Sequence, residues 1–313
     1  MEWLSILWII SGLVLFEIII SVDNAIINAQ VLGTMSKKGR KWFLFWGIII
    51  AVFVVRGMLP WLILLANNPS LGLIGAFKAS YSSDPGVASA IEQSAPILLI
   101  GGGTFLVFLF FHWLFIEPKH YGLIGEEFIH KRGVWFFAVV SVLLALIVWF
   151  SIKINPLMAF GAVVGSTAFF ITHGFKENAE QAEKNMIEGS AKMTDISKIF
   201  YLEVIDATFS VDGVLGAFAF TFSIPLILLG NGIGAMVVRQ LTISNIERIK
   251  RYKYLKNGAM YSIFAIGIVM LADSFGMHIP SWLSPAVTFG AIGYFLYKSV
   301  KDIRKEEKAA QSS

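Results

Sequence analysis

Glu17-Ile18-Ile19-Ile20-Ser21-Val22-Asp23 and Asp206-Ala207-Thr208-Phe209-Ser210-Val211-Asp212 carry one pattern twice: a carboxylate, a three-residue gap, then Ser-Val-Asp. Each copy sits inside a long apolar run. A carboxylate in hydrocarbon is expensive, so an acid there is by default a functional residue. Two matched sets of such acids point to a shared site.

The surrounding composition places both copies in a membrane. The 313 residues are 56% hydrophobic and 14% aromatic, with a mean hydropathy of +0.72. Several runs approach the ~20 residues a helix needs to cross a bilayer. They do not alternate in polarity as barrel strands do. The reading is therefore all-α: a polytopic membrane helix bundle of about nine spans. The net charge of +4 lies in short loops and at the C-terminus, which argues against nucleic acid as a partner. There is no cysteine, which excludes disulfides, thiolate-held zinc and iron–sulfur clusters. The first run has an acidic start and internal acids, so it reads as a span and not as a signal peptide.

The spans read as 3–31, 42–66, 96–116, 134–150, 156–175, 199–222, 224–246, 258–277 and 283–298. Basic residues cluster after every odd span: Lys37, Lys38, Arg40 and Lys41 after the first, and Arg248, Lys250, Arg251, Lys253 and Lys256 after the seventh. That alternation predicts an N-terminus outside and a C-terminus in the cytoplasm. One transmembrane domain over 1–313 then divides into a first half (1–175), a cytoplasmic connector (176–198), a second half (199–300) and a frayed cytoplasmic tail (301–313). Asp84-Pro85 is expected to open a short capped helix over 86–94 in an outer loop. Residues 176–186 read as a helical extension of the fifth span.

The second copy begins five spans after the first, so the halves are expected to be inverted. This architecture is common among secondary transporters, with the site near the midplane. Val54-Val55-Arg56 and Val237-Val238-Arg239 are a second echo, each one span after its acidic pattern. At ~1.5 Å rise per residue, Glu17 and Asp23 lie about 9 Å apart along the axis, as do Asp206 and Asp212. Inversion puts Glu17 level with Asp212, and Asp23 level with Asp206. Glu17, Ser21 and Asn24 form one helical stripe with Asp23 off it. Glu203, Asp206 and Ser210 form another, with Asp212 off it. Either both faces are buried or each helix is broken, and Gly213 and Gly216 would permit a break.

Charge counting names a ligand class. Glu17, Asp23, Asp206 and Asp212 carry −4 if ionised and Glu203 one more; Arg56 and Arg239 return +2. One divalent cation would neutralise the balance. The donors are all oxygen, from carboxylates, Ser21, Ser210, Asn24 and backbone carbonyls, which suits Mn²⁺, Mg²⁺ or Ca²⁺. No tightly bound cofactor is implied.

Phe16-Glu17…Ser21-Val22-Asp23-Asn24-Ala25 and Glu203-Val204-Ile205-Asp206…Phe209…Val211-Asp212 resemble the two signature segments of the TerC family, named for tellurite resistance. Its members are regarded as manganese exporters. The resemblance covers spans one, two, six and seven, and the chain departs from the pattern at Ile18 and Gly213, as a divergent branch would. It implies Glu17, Asp23, Asn24, Glu203, Asp206 and Asp212 as metal-site residues, with Ser21, Ser210, Arg56 and Arg239 in support. The leading expectation is a cell-membrane (plasma or inner) exporter of a divalent cation, Mn²⁺ foremost, and not an enzyme. An intramembrane aspartyl protease is the enzymatic alternative, disfavoured because no Gly-x-Gly-Asp segment is present. A membrane protein that hands metal to secreted enzymes is the third. A homo-oligomer is left open.

Plainer readings apply elsewhere. Arg56 and Arg239 also suit a structural pairing with the aspartates. His173, Glu177 and Glu180 read as a wet helix face, and Asp273 as a helix-end acid. His112 with Trp113, together with His120, His130 and His278, read as interfacial. Gly101-Gly102-Gly103 reads as a close-packing site, and Trp42, Trp61, Trp135 and Trp282 as belt anchors.

Overall fold

The computed structural model describes residues 3–21, 31–33, 35–47, 49–50, 58, 61, 65, 71–80, 85–187, 194–244 and 251–312. Backbone alone is described at 44, 79–80, 85–94, 176–187, 201, 204–210, 239, 241–244 and 310–312. These residues form helices and connections without a strand. The helices are α1 (Trp3–Ile20), α2 (Lys37–Trp42), α3 (Gly72–Ser80), α4 (Pro85–Phe115), α5 (Glu126–His130), α6 (Trp135–Ile152), α7 (Pro156–Ile187), α8 (Asp195–Ala217), α9 (Ile224–Ser244), α10 (Leu255–Ser274) and α11 (Leu283–Ser312), with a π-helical turn at Phe43–Gly47.

Five segments are long and apolar enough to cross a bilayer: Trp3–Ile20, Ala95–Phe115, Trp135–Ile152, Pro156–Phe175 and Leu255–Ser274. They mark a multi-pass membrane protein. Most of the second expected span, 42–66, lies outside the described residues. Burial separates centre from rim. In α4 78% of the apolar segment is buried, against 22% in α6. Val142, Leu146 and Trp149 stay exposed on α6, a surface that suits lipid and would be costly in water.

Glycines set how closely the central helices approach. α4 and α7 run parallel, with Gly161 against Ile97 and Gly165 against Gly101. A methyl group on Gly165 would fall 2.1 Å from the Gly101 carbonyl oxygen, so the two backbones touch. On another side of α4, Gly103 meets Leu271 and Gly267 of antiparallel α10. The Gly-Gly-Gly run is thus a packing surface, as small residues between membrane helices are expected to be. Below it Phe110 stacks on Phe264 at 4.3 Å between ring centroids.

Three sequence expectations are corrected. The short outer helix over 86–94 is continuous with the third span, because α4 runs unbroken from Pro85 to Phe115 through Pro96. Proline inside a membrane helix is tolerated where neighbours re-satisfy the freed backbone groups. The tail at 301–312 is not frayed. It continues α11, and its acids dock on the turn before α10: Asp302 and Glu306 on Lys253 at 3.2 and 3.3 Å, and Glu307 on Arg251 at 2.8 Å. His112 and Trp113 are buried, not interfacial, since α4 is enclosed even at its end. The helical extension of the fifth span is present, as α7 runs on to Ile187.

A polar node holds the α4–α6 connection against α10 and α11. Glu126 is buried. It accepts hydrogen bonds from Gly122 N (2.7 Å), Leu123 N (3.0 Å), Asn257 Nδ2 (3.1 Å) and Tyr261 Oη (2.9 Å). Lys298 donates to the Gly122 carbonyl. Lys119 donates to the last α4 carbonyls, at Trp113 and Leu114. Burial holds its ammonium down to about 8, against the opposing pull of Glu126 and Glu117.

Two outcomes follow. Gly165→Val forces α4 and α7 apart, whereas nothing lies within 4 Å of a methyl group on Gly174. Unfolding titrations in mixed micelles should show Gly165→Val less stable by ~2 kcal/mol or more and Gly174→Val near wild type. For the tail, hydrogen bonding from Lys253 chiefly holds the Asp302 carboxyl below its usual 3.8, and the same bond, donated to Asp302, chiefly raises Lys253 above 10.5. The Asp302 contribution is present above 3.8 and lost as pH falls through the lowered value. The Lys253 contribution is lost only as pH rises through its raised value. Spin labels at Tyr252 and Lys308, in a chain with no native cysteine, should therefore give a narrow distance distribution at neutral pH that broadens below pH 3.8.

Candidate functional site

α1 enters a groove between α8 and α9 because glycines line both walls. Along α1, Gly12 meets Phe220, Phe16 meets Gly216 and Glu17 meets Gly213, so α1 and α8 are antiparallel. On the other wall Leu13 lies over Gly230 and Glu17 over Gly234, so α1 and α9 are parallel. Phe16 also packs on the Phe220 ring at 5.6 Å. The helix with the first acidic copy thus runs opposite to the helix with the second, and the two meet at the C-terminal end of α8.

Glu17 ends up with no solvent exposure. A methyl group on Gly213 would sit 3.0 Å from its Oε2, and one on Gly234 would sit 2.6 Å from its Cβ. Its Oε1 accepts a 2.6 Å hydrogen bond from Ser21 Oγ, one turn on. The glutamate therefore lies against the α8 turn that holds Asp212, which is partly buried. That is the neighbour the inversion argument named. Glycine at 213 leaves the space the carboxylate occupies.

α8 is continuous from Asp195 to Ala217, so no break falls at Gly213 or Gly216. Glu203, Asp206, Ser210 and Gly213 share one helical register. Glu203 is buried; at Asp206 and Ser210 only the backbone is described. This stripe runs from the Glu17 contact toward the N-terminus of α8. Asp23, Asn24 and Arg56 lie outside the described residues, and Arg239 is placed by its backbone on α9. The structure thus joins Glu17, Ser21 and the Asp212 turn. Among the described residues no group of three or more His, Asp or Glu is placed to hold a metal ion.

Some polar positions escaped the sequence reading. Asn231 is fully buried on α9, between Gly230 and Gly234. An amide in an apolar run is itself the missed signal. His112 and His173 put their rings 3.7 Å apart, with His112 Nδ1 3.5 Å from Glu117; side chains at Glu177 and Glu180 are not described. Nothing local marked Glu126 as buried, because the side chains that bond to it across the bundle, Asn257 and Tyr261, come from α10. Asp273 accepts from the Ile279 N–H at 3.3 Å, which makes it a turn-capping acid. Gly39 of α2 packs on Asp195 at the start of α8, and Ser36 donates to that carboxylate, chiefly holding it below its usual range.

A family model described as "Protein of unknown function (DUF475)" matches residues 22–306, and the chain belongs to that family. No curated protein and no solved structure matches it.

Gly234→Ala should push α1 out of its groove, lowering stability in mixed-micelle unfolding by ~1–3 kcal/mol. Ser21→Ala removes one hydrogen bond to the buried carboxylate and should cost ~1–3 kcal/mol.

Proposed function

We propose that this DUF475 chain is a secondary transporter that exports a divalent cation, manganese foremost, through an oxygen-lined site inside the membrane. The observation that carries the reading is Glu17, fully buried in the α1–α8–α9 groove with its carboxylate beside the Asp212 turn. Acids of two helices brought together inside the bundle make an anionic, oxygen-lined site, and a divalent cation between them would offset their charge. Asp23, Asn24, Glu203, Asp206 and Asp212 would complete the donor set with Glu17. Ser21 and Ser210 would orient the carboxylates. Arg56 and Arg239 would offset their charge when the cation leaves, and protons taken up by the vacated acids would do the rest.

All-oxygen ligation supports Mn²⁺, Mg²⁺ or Ca²⁺ over softer metals. The resemblance to the TerC family supports manganese among them, and supports export. An N-terminus outside, nine spans in two inverted halves and a cell-membrane location belong to the same reading; the alternation of loop charge supports the orientation. Movement of α1 relative to α8 and α9 would expose the site to one side and then the other.

The test is ion flux in proteoliposomes of the purified chain with Mn²⁺, Mg²⁺, Ca²⁺ and Zn²⁺. Saturable Mn²⁺ flux is expected, falling at least tenfold in Asp212→Asn and in Glu17→Gln while both variants still insert. Unaltered flux in both variants, or no flux of any cation by the wild type, contradicts the proposal.

A further inference from the structure

The C-terminal end of α11 sorts its charges by face. At about 100° per residue, Ile292, Phe295 and Ser299 lie on one side and are buried at 5%, 3% and 0% exposure. Asp302 and Glu306 continue that side and are held by Lys253, while Glu307 is held by Arg251. Tyr254 Oη also donates to Asp302 at 3.0 Å. The acids thus fasten the helix to the bundle.

The opposite side carries a different series. Tyr294 and Tyr297 are 53% and 67% exposed, and Lys301, Arg304, Lys305 and Lys308 follow them, all exposed. These six positions fall within a stripe about 100° wide. Among the described residues no salt bridge joins the four cations to an acid, although Lys305 acts on Asp302 through the field. On the nine-span reading proposed above, on which this inference rests, the first part of α11 is the last span; exposed tyrosines and then cations directed away from the bundle are the order expected of a helix leaving a bilayer through an anionic headgroup layer.

We propose that the outward face of α11 from Lys301 to Lys308 binds anionic lipid headgroups of the adjacent leaflet. Depth permits it. Lys301 lies ~6 Å beyond Tyr297 along the axis, and Arg304 and Lys305 ~10–12 Å beyond. The headgroup zone is ~5–7 Å deep on each side. Helical side chains lean toward the N-terminus, which in α11 is back toward the bilayer, so the long side chains of these three span the remainder. Lys308, ~16 Å out and so ~9–11 Å beyond the layer, acts only through the field, which falls off over a Debye length of ~8 Å.

The full-length protein, extracted from bilayers of equal phosphatidylglycerol and phosphatidylcholine, tests this by native mass spectrometry of retained lipid. Retention of phosphatidylglycerol at least fivefold above phosphatidylcholine is expected, falling with added salt. The neutral variant K301Q/R304Q/K305Q/K308Q should lose the preference. The charge-keeping K301R/K305R/K308R should retain it, as should K131Q/R132Q on another connection. Preference intact in the neutral variant, or lost equally in K131Q/R132Q, overturns the proposal. Should the quadruple variant not purify, K301Q/K305Q and R304Q/K308Q are each expected to lower the preference at least twofold, and no change in either overturns it.

Discussion

A carboxylate with no solvent exposure sits where three helices meet, and the rest of the arrangement follows from making room for it. Glu17 fits because α8 and α9 present glycine, not a side chain, on both sides of it. A methyl group at Gly234 would lie inside its van der Waals contact, and one at Gly213 would press on its Oε2. Removing side chains at those positions gives up contact area, which membrane helices recover through close backbone approach. Leu13 and Phe16 fill the neighbouring glycine positions and lock α1 in register. The same device fixes the other side of the molecule, where Gly165 lies on Gly101. α4 then joins the two glycine-packed regions through Phe110, Phe264 and the buried core around them.

Much of this was legible before any coordinates. Hydropathy marked the long apolar helices, because a bilayer permits few alternatives for twenty uninterrupted apolar residues. The repeated Glu-x-x-x-Ser-Val-Asp pattern and its Asp counterpart marked the helices that meet, and the rise of an α-helix was enough to pair Glu17 with the Asp212 level. Gly101-Gly102-Gly103 announced close packing. What stayed hidden depended on tertiary enclosure. His112 and Trp113 look interfacial from their place near a span end, but α4 is central and its neighbours cover them. Glu126 looks like a solvated loop acid until Asn257 and Tyr261 arrive from α10. The charged tail looks frayed until Lys253 and Arg251 supply partners for its acids.

The errors share a cause. Local pattern reads one helix at a time, and a residue's exposure is decided by which helices surround it. Asn231 illustrates this. Its cost of burial argues for a role on the same grounds as Glu17, yet a single amide carries no charge and repeats nowhere, so it drew no notice. The charge sorting on α11 was equally invisible as composition, since acids and bases are mixed along 301–308 and only the docked turn at 251–254 tells one face from the other.

Membership of a family of unknown function leaves the chemistry of the groove as the basis for any functional account. The central claim is that a divalent cation sits between the acids of the two antiparallel helices, and anomalous scattering from crystals grown with Mn²⁺ addresses it most directly. A peak recorded at the manganese edge should lie ~2.2 Å from carboxylate oxygens of both Glu17 and Asp212, within the range for hard cations on oxygen. Ordered crystals with no peak in the groove, or with manganese bound only at surface carboxylates, would contradict it.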